Sequence, residues 1–243
     1  MDSFALETVV LAVLIGSFAG VIRGITGFGG AMVMAPPLAL LLGPRLTVPV
    51  VLLLEGLAAL PRVWQTRRQV RWRVIGPILA ATFVTVPLGG LVLVSADPQT
   101  LRRAIAAIVI VFALLLLRGW RYTGSQRMST GVGLGGLAGA MLGATSIGGP
   151  PVILYLLAGP DRIETTRANL TLFVAAGSLA GVAMLWVREV LDARAAWTGL
   201  ALAPGYYGGV LAGTRLFARF NDARFRQFTL LLMIAVSTGV LLT

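Results

Sequence analysis

The chain has 243 residues, of which 57% are hydrophobic and 12% charged, with a mean hydropathy of +0.90. A soluble domain of this size clothes its surface with about 25% charged residues, so this composition excludes a water-soluble globule and turns most of the outer surface to lipid. All 20 basic residues are Arg, against nine acids and a net charge of +11, while Lys, His and Cys are absent. Without His and Cys there is no Ser-His-Asp triad, no His-bound zinc or haem, no disulfide and no thiol nucleophile. No metal or cofactor is expected. A pI near 11.6 would point to nucleic acid in a soluble protein. In a lipid-embedded chain, Arg-rich cytoplasmic loops account for it, and no nucleic-acid partner is expected.

Long apolar runs lie at Leu6–Ile22, Val48–Leu60, Val74–Val94, Ala104–Leu117, Gly131–Leu142, Ala168–Val187, Trp197–Leu216 and Phe228–Leu242. Two shorter runs, Ala31–Leu42 and Pro150–Ala158, follow glycine-rich breaks. A spanning helix needs about 20 mostly apolar residues. The pattern therefore predicts an all-α, multi-pass membrane protein of eight long helices plus two short segments. The first run does not read as a secretory signal, because Asp2 and Glu7 flank it instead of a cationic segment.

The chain is internally repeated. Shifted by 119 residues, Gly16–Gly30 falls on Gly135–Gly149 with seven of fifteen positions identical, among them Gly24/Gly143, Thr26/Thr145, Gly29/Gly148 and Gly30/Gly149. At the same offset Thr47 meets Thr166, and Gly89-Gly90 meets Gly208-Gly209. After a five-residue slip, Asp97–Arg103 resembles Asn221–Gln227. Residues 1–119 and 120–243 are thus expected to form two transmembrane repeats.

Arginine placement predicts their relative orientation, because Lys and Arg stay cytoplasmic. Arg62–Arg73 holds five Arg and no acid, and Arg118–Arg127 holds three and no acid, so both are placed inside. Arg188–Arg194 has two Arg against Glu189 and Asp192, which suits the outside, and Arg215–Arg226 has four against Asp222, which suits the inside. Equivalent loops then take opposite sides, the pattern of an inverted repeat with about five segments per half.

Each repeat carries Gly-x-Thr-(Gly/Ser)-x-Gly-Gly between an apolar helix and a short apolar segment. The first copy is Gly24–Gly30, followed by Pro36-Pro37; the second is Gly143–Gly149, followed directly by Pro150-Pro151. Paired glycines favour an unwound backbone, and proline favours the first turn of the helix that resumes. Irregular backbone at membrane depth is tolerated only against protein or a water-filled cavity, where its N–H groups suit an anion. Paired broken helices in matching positions are the best sequence pointer to a transporter's binding site. The candidate substrate-binding residues are accordingly Thr26, Gly27, Gly29, Gly30, Thr145, Ser146, Gly148 and Gly149. By contrast, the stripes Gly16-x-x-x-Gly20-x-x-x-Gly24 and Gly135-x-x-x-Gly139-x-x-x-Gly143 are read as close helix packing.

With these motifs the chain resembles the TauE/SafE family, the sulfite exporter or toluene-sulfonate uptake permeases. The resemblance covers length, duplication, both glycine motifs and the Gly-Gly helix late in each half. It implies transport of small anions, chiefly sulfite, sulfonates and other organosulfur compounds, or organic acids, by a multi-pass protein of the bacterial inner membrane. Ala31 and Pro150 stand where the family often has a third glycine, and Ser146 stands opposite Gly27. These departures bear on the particular substrate rather than on the class.

Charge within the membrane marks function by default. Glu55 is the one acid deep in an apolar run and is the candidate for proton coupling, with a structural pairing to an arginine as the alternative. Arg23 stands before the first break where the second copy has Leu142. It is either a bidentate anion ligand or an interfacial anchor. Arg167 and Asn169 open the helix after the second short segment and are read as a further cation and amide, while Arg62 reads equally as a topology anchor. The expected mechanism is alternating access around the two breaks, one repeat moving against the other. Intramembrane proteolysis lacks its His, its zinc ligands and a pair of embedded Asp, so an enzyme is not expected. A passive anion channel, or a membrane subunit that only scaffolds a complex, is the alternative. The partners expected are the lipid bilayer and a small anion, and a homodimer is left open.

Overall fold

Where about twenty apolar residues run on without a breaker, the backbone has no water to bond to and closes its hydrogen bonds within a helix. The computed structural model describes residues 6–120, 122, 124, 127–220 and 223–243, with the side chains of 217–220 and 223–226 excepted. Its first half contains α1 (Leu6–Thr26), α2 (Gly30–Leu42), α3 (Pro44–Thr66), α4 (Trp72–Ser95) and α5 (Pro98–Leu117). The second contains α6 (Met128–Thr145), α7 (Gly149–Leu156), α8 (Ile163–Val187), α9 (Ala193–Phe220) and α10 (Ala223–Leu242). The described residues hold no strand, and five of the helices are long and apolar enough to cross a bilayer. The chain is an all-α polytopic membrane protein.

With 13 and 8 residues, α2 and α7 rise only about 20 and 12 Å, short of the roughly 30 Å hydrocarbon core. The five tryptophans mark the other dimension of the bilayer. Trp64, Trp72 and Trp120 are exposed near helix termini at one end of the bundle, and Trp186 and Trp197 at the other. Such rings favour the lipid–water boundary.

The helix ends sort onto two faces. At the Arg-rich face, Arg71 pairs with Asp161, and its backbone N–H donates to Asn169 Oδ1 at 2.9 Å. On the same face Arg62 Nη2 donates to Thr214 Oγ1 at 2.9 Å. At the opposite face Arg45 Nη2 donates to the Val94 carbonyl at 2.7 Å, beside Pro98 and Asp192. The α3–α4 connection therefore lies at one end and its counterpart, α8–α9, at the other, as an inverted repeat requires. One expected loop is corrected: Arg215–Phe220 continues α9 as helix. Asn221 and Asp222, which carry part of the proposed match to Asp97–Arg103, lie outside the described residues.

The halves are interlocked rather than side by side. The most extensive packing joins α1 to α9 and α4 to α6, so each half lends its fourth helix to the first helix of the other. Glycine allows it. A Cβ on Gly20 would strike the Tyr206 carbonyl, and one on Gly24 would lie 2.8 Å from Thr214 N. On the other side a Cβ on Gly139 would lie 2.5 Å from the Thr82 carbonyl. Thr82 Oγ1 also donates to the Gly135 carbonyl at 2.9 Å. Both small-residue stripes pack helices, as read from the sequence.

Candidate functional site

Each break is short and built from local chemistry. In the first, Gly27 and Gly29 take φ of 80° and 88°, and α2 resumes at Gly30. In the second, Ser146 takes φ of 62°, and α7 resumes at Gly149 with Pro150 and Pro151 in its first turn. The prolines Pro36 and Pro37 lie mid-helix in α2 instead of at its start. The repeated threonine acts as a clip. Thr26 Oγ1 donates to the Ile22 carbonyl at 2.8 Å and accepts from Phe28 N–H at 3.3 Å. Thr145 Oγ1 does the same with the Met141 carbonyl at 2.7 Å and Ile147 N–H at 3.3 Å. Both hydroxyls thus hold the chain through its turn.

The two breaks meet at one cavity of about 40 Å³. Residues 119 apart line it together: Gly27 and Ser146, Phe28 and Ile147, Gly29 and Gly148, Ala31 and Pro150. Arg23 and its counterpart Leu142 line it as well, and so do Glu55 and its counterpart Val174. The first-turn N–H groups of a helix have no intrahelical partner. At α2 the residues Gly30, Ala31 and Met32 carry such groups, whereas Pro150 and Pro151 remove two from α7. The backbone donors are therefore concentrated on the first break.

Arg23 and Glu55 form an ion pair inside the protein, with only 6% and 4% of their surface exposed. Arg23 Nη2 also reaches the Glu55 backbone carbonyl at 3.5 Å. The fully buried Tyr206 of α9 donates its hydroxyl to Glu55 Oε1 at 2.6 Å. A Cβ on Gly30 would strike Glu55 Oε1 and lie 2.8 Å from the Tyr206 hydroxyl, so only glycine admits this network beside the start of α2. The carboxylate and the guanidinium, singled out separately in the sequence, are each other's partner.

The remaining candidates are placed differently. Thr26 lines a second cavity of about 220 Å³ on the Arg-rich face, and Thr145 is buried without lining the central one. Asn169 is fully buried and uses its carbonyl to hold Arg71, tying α8 to the start of α4 away from the cavity. Tyr206 and the cavity-lining Ser178 were not singled out from the sequence. Tyr206 stands where the 119-residue shift puts Pro87. The comparison of halves that exposed Arg23 against Leu142 would have exposed it too.

No curated protein and no solved structure matches this chain. The family model described as Sulfite exporter TauE/SafE matches residues 12–240. That span takes in both breaks and the Arg23–Glu55–Tyr206 network, and the chain belongs to the TauE/SafE sulfite exporter family of membrane transporters.

Proposed function

We propose that the chain is a secondary transporter of small anions, sulfite or sulfonates or a related organic acid anion, in a bacterial inner membrane with its Arg-rich face in the cytoplasm. The observation that carries this proposal is the convergence of two equivalent breaks on one cavity, whose charged lining groups are the paired Arg23 and Glu55. By the measure of about 10–15 Å³ per water, a cavity of about 40 Å³ suits a compact oxyanion head group. Arg23 and the N–H groups opening α2 would hold its oxygens. Gly27, Gly29, Ser146, Gly148 and Gly149 would let the backbone approach it closely.

The ion pair supplies the coupling. While Glu55 is ionised it occupies Arg23. A proton on Glu55 releases the guanidinium for the anion, so proton and anion promote each other's binding, with Tyr206 still able to bond the neutral acid. Glu55→Gln, a mimic of the protonated acid, should keep anion binding and abolish pH-driven flux in proteoliposomes. Unchanged pH-driven flux would sink the coupling role.

The repeats, taken as 1–119 and 120–243, would not move as separate halves, because α1 rests on α9 and α6 on α4 through glycine-backbone contact. Two exchanged bodies, α1–α3 with α9 and α6–α8 with α4, would rock about the cavity. An engineered Cys pair bridging the two breaks should stop transport, and the Cys-free background keeps that test clean. Accumulation of anion against its gradient would separate this mechanism from a passive channel.

A further inference from the structure

Beyond the central cavity, the Arg-rich face carries the second cavity of about 220 Å³. Its polar lining is Arg62 from α3, Arg167 and Thr171 from α8, Thr214 from α9 and Thr26 from the first break, with no acid among the described residues that line it. Arg62 reaches across to Thr214 Oγ1 and lies within the electrostatic reach of both Arg167 and Arg23. Cations that crowd one another around a cavity without a lining carboxylate gain when an anion enters between them. Gly27, Phe28 and Leu170 line this cavity and the central one alike, so two side chains and one glycine separate them.

We infer that this vestibule is a second, outer anion site, in which Arg62 and Arg167 gather an oxyanion or sulfonate before it passes Phe28 and Leu170 to Arg23. The site rests on the anion-transport proposal for its role, but its binding can be measured without transport. It is built from three helices and a break that only the tertiary structure brings together. Arg62 is then a ligand as well as a topological anchor. Its hydrogen bond to Thr214, which lines the same cavity, holds the guanidinium in place there. The pseudo-symmetric positions offer no such site: Arg62 and Arg167 correspond to Gly181 and Val48.

The test places one cysteine, Thr171→Cys, in the otherwise Cys-free chain. Its labelling rates are measured with 2-sulfonatoethyl methanethiosulfonate and with the cationic trimethylammonioethyl reagent, both normalised to a free thiol. The vestibule should favour the anionic reagent by about tenfold at low salt, falling as ionic strength rises. Sulfate or methanesulfonate should protect the thiol. Arg62→Gln with Arg167→Gln should remove both preference and protection, while Arg62→Lys with Arg167→Lys should keep the preference. No preference for the anionic reagent, or protection that survives the double Gln change, would overturn the site. In flux assays the double Gln variant should raise KM about tenfold with little change in maximal rate; an unchanged KM would remove the gathering role. A wild-type protein that shows the labelling pattern but accumulates no anion would overturn the transport proposal instead, and with it the vestibule's role in gathering.

Discussion

The two glycine-rich breaks are copies in sequence and opposites in environment. Around the first, Gly27 is exposed and Thr26 and Phe28 are half-buried on the Arg-side vestibule, while the half-buried Gly29 lines the central cavity. Around the second, Thr145, Ser146, Ile147 and Gly148 are all buried. Where the vestibule's counterpart would lie, Val48, Leu52, Leu142 and Met184 share one hydrophobic cluster. A Cβ on Gly181, the counterpart of Arg62, would sit 2.8 Å from Leu52 Cδ1. One break thus opens to a charged cavity while its copy is sealed by packed side chains. An inverted duplication supplies two breaks of one design, and under the proposed mechanism they would be the two gates, with the packed one shut. The polar side chains are divided as unevenly, since Arg23, Glu55 and Tyr206 correspond to Leu142, Val174 and Pro87.

The sharpest way to break this contrast is at paired glycines. Gly30→Ala pushes a methyl into Glu55 and Tyr206 and should cut flux by about 100-fold. Gly149→Ala, whose Cβ would make only an ordinary contact with Ile153 Cδ1 at 3.6 Å, should cut flux much less. Equal losses in a proteoliposome assay would show that the breaks contribute alike. Next comes the ion pair. Arg23→Leu alone strands a buried carboxylate and should cost about 3–5 kcal/mol. Arg23→Leu with Glu55→Val gives the first break the second's side chains and should recover much of that stability, without recovering flux. Thermal unfolding in detergent together with flux distinguishes these two losses.

A smaller effect concerns access. Thr26→Cys and Thr145→Cys remove the same backbone clip, so the difference in their labelling reports exposure alone. The first should react at least about tenfold faster, since reaching the second requires an opening of the packed side. Similar rates would mean that the sealed face is not sealed. The smallest effect is backbone strain. Ser146→Gly relieves a serine at φ 62° and should stabilise by about 1 kcal/mol, whereas Gly27→Ser should cost about as much.

Much of the fold was legible because it rests on local chemistry. Apolar runs predicted the helices, and Gly-Gly followed by a short run predicted the breaks, each within a few residues. Arginine counts predicted the inversion, although Arg215–Phe220 proved to be helix, since an arginine near a bilayer surface can extend a helix as readily as end it. At the site, Arg23 and Glu55 were each visible as an unusual charge, but their pairing was not. Thirty-two residues separate them in sequence, and the alignment of α1 against α3 decides their distance. Tyr206 lies 151 residues from Glu55 and meets it because α9 of one half packs on α1 and α3 of the other. Asn169 was visible as a candidate site amide by position, but that its carbonyl holds Arg71 at the start of a neighbouring helix was not.

By itself, the sequence determined that this chain lives in lipid, that it is a duplicated set of helices, and that two equivalent points interrupt them. These follow from composition, period and the conformational freedom of glycine, all of which act within a few residues. The tertiary structure decided that the two interruptions share a cavity, that its charges neutralise each other, and that one approach is lined with arginine while the other is packed shut. Those outcomes depend on which helix lies against which. Exchange of helices between the halves brings together residues more than a hundred positions apart, and no local pattern records that choice.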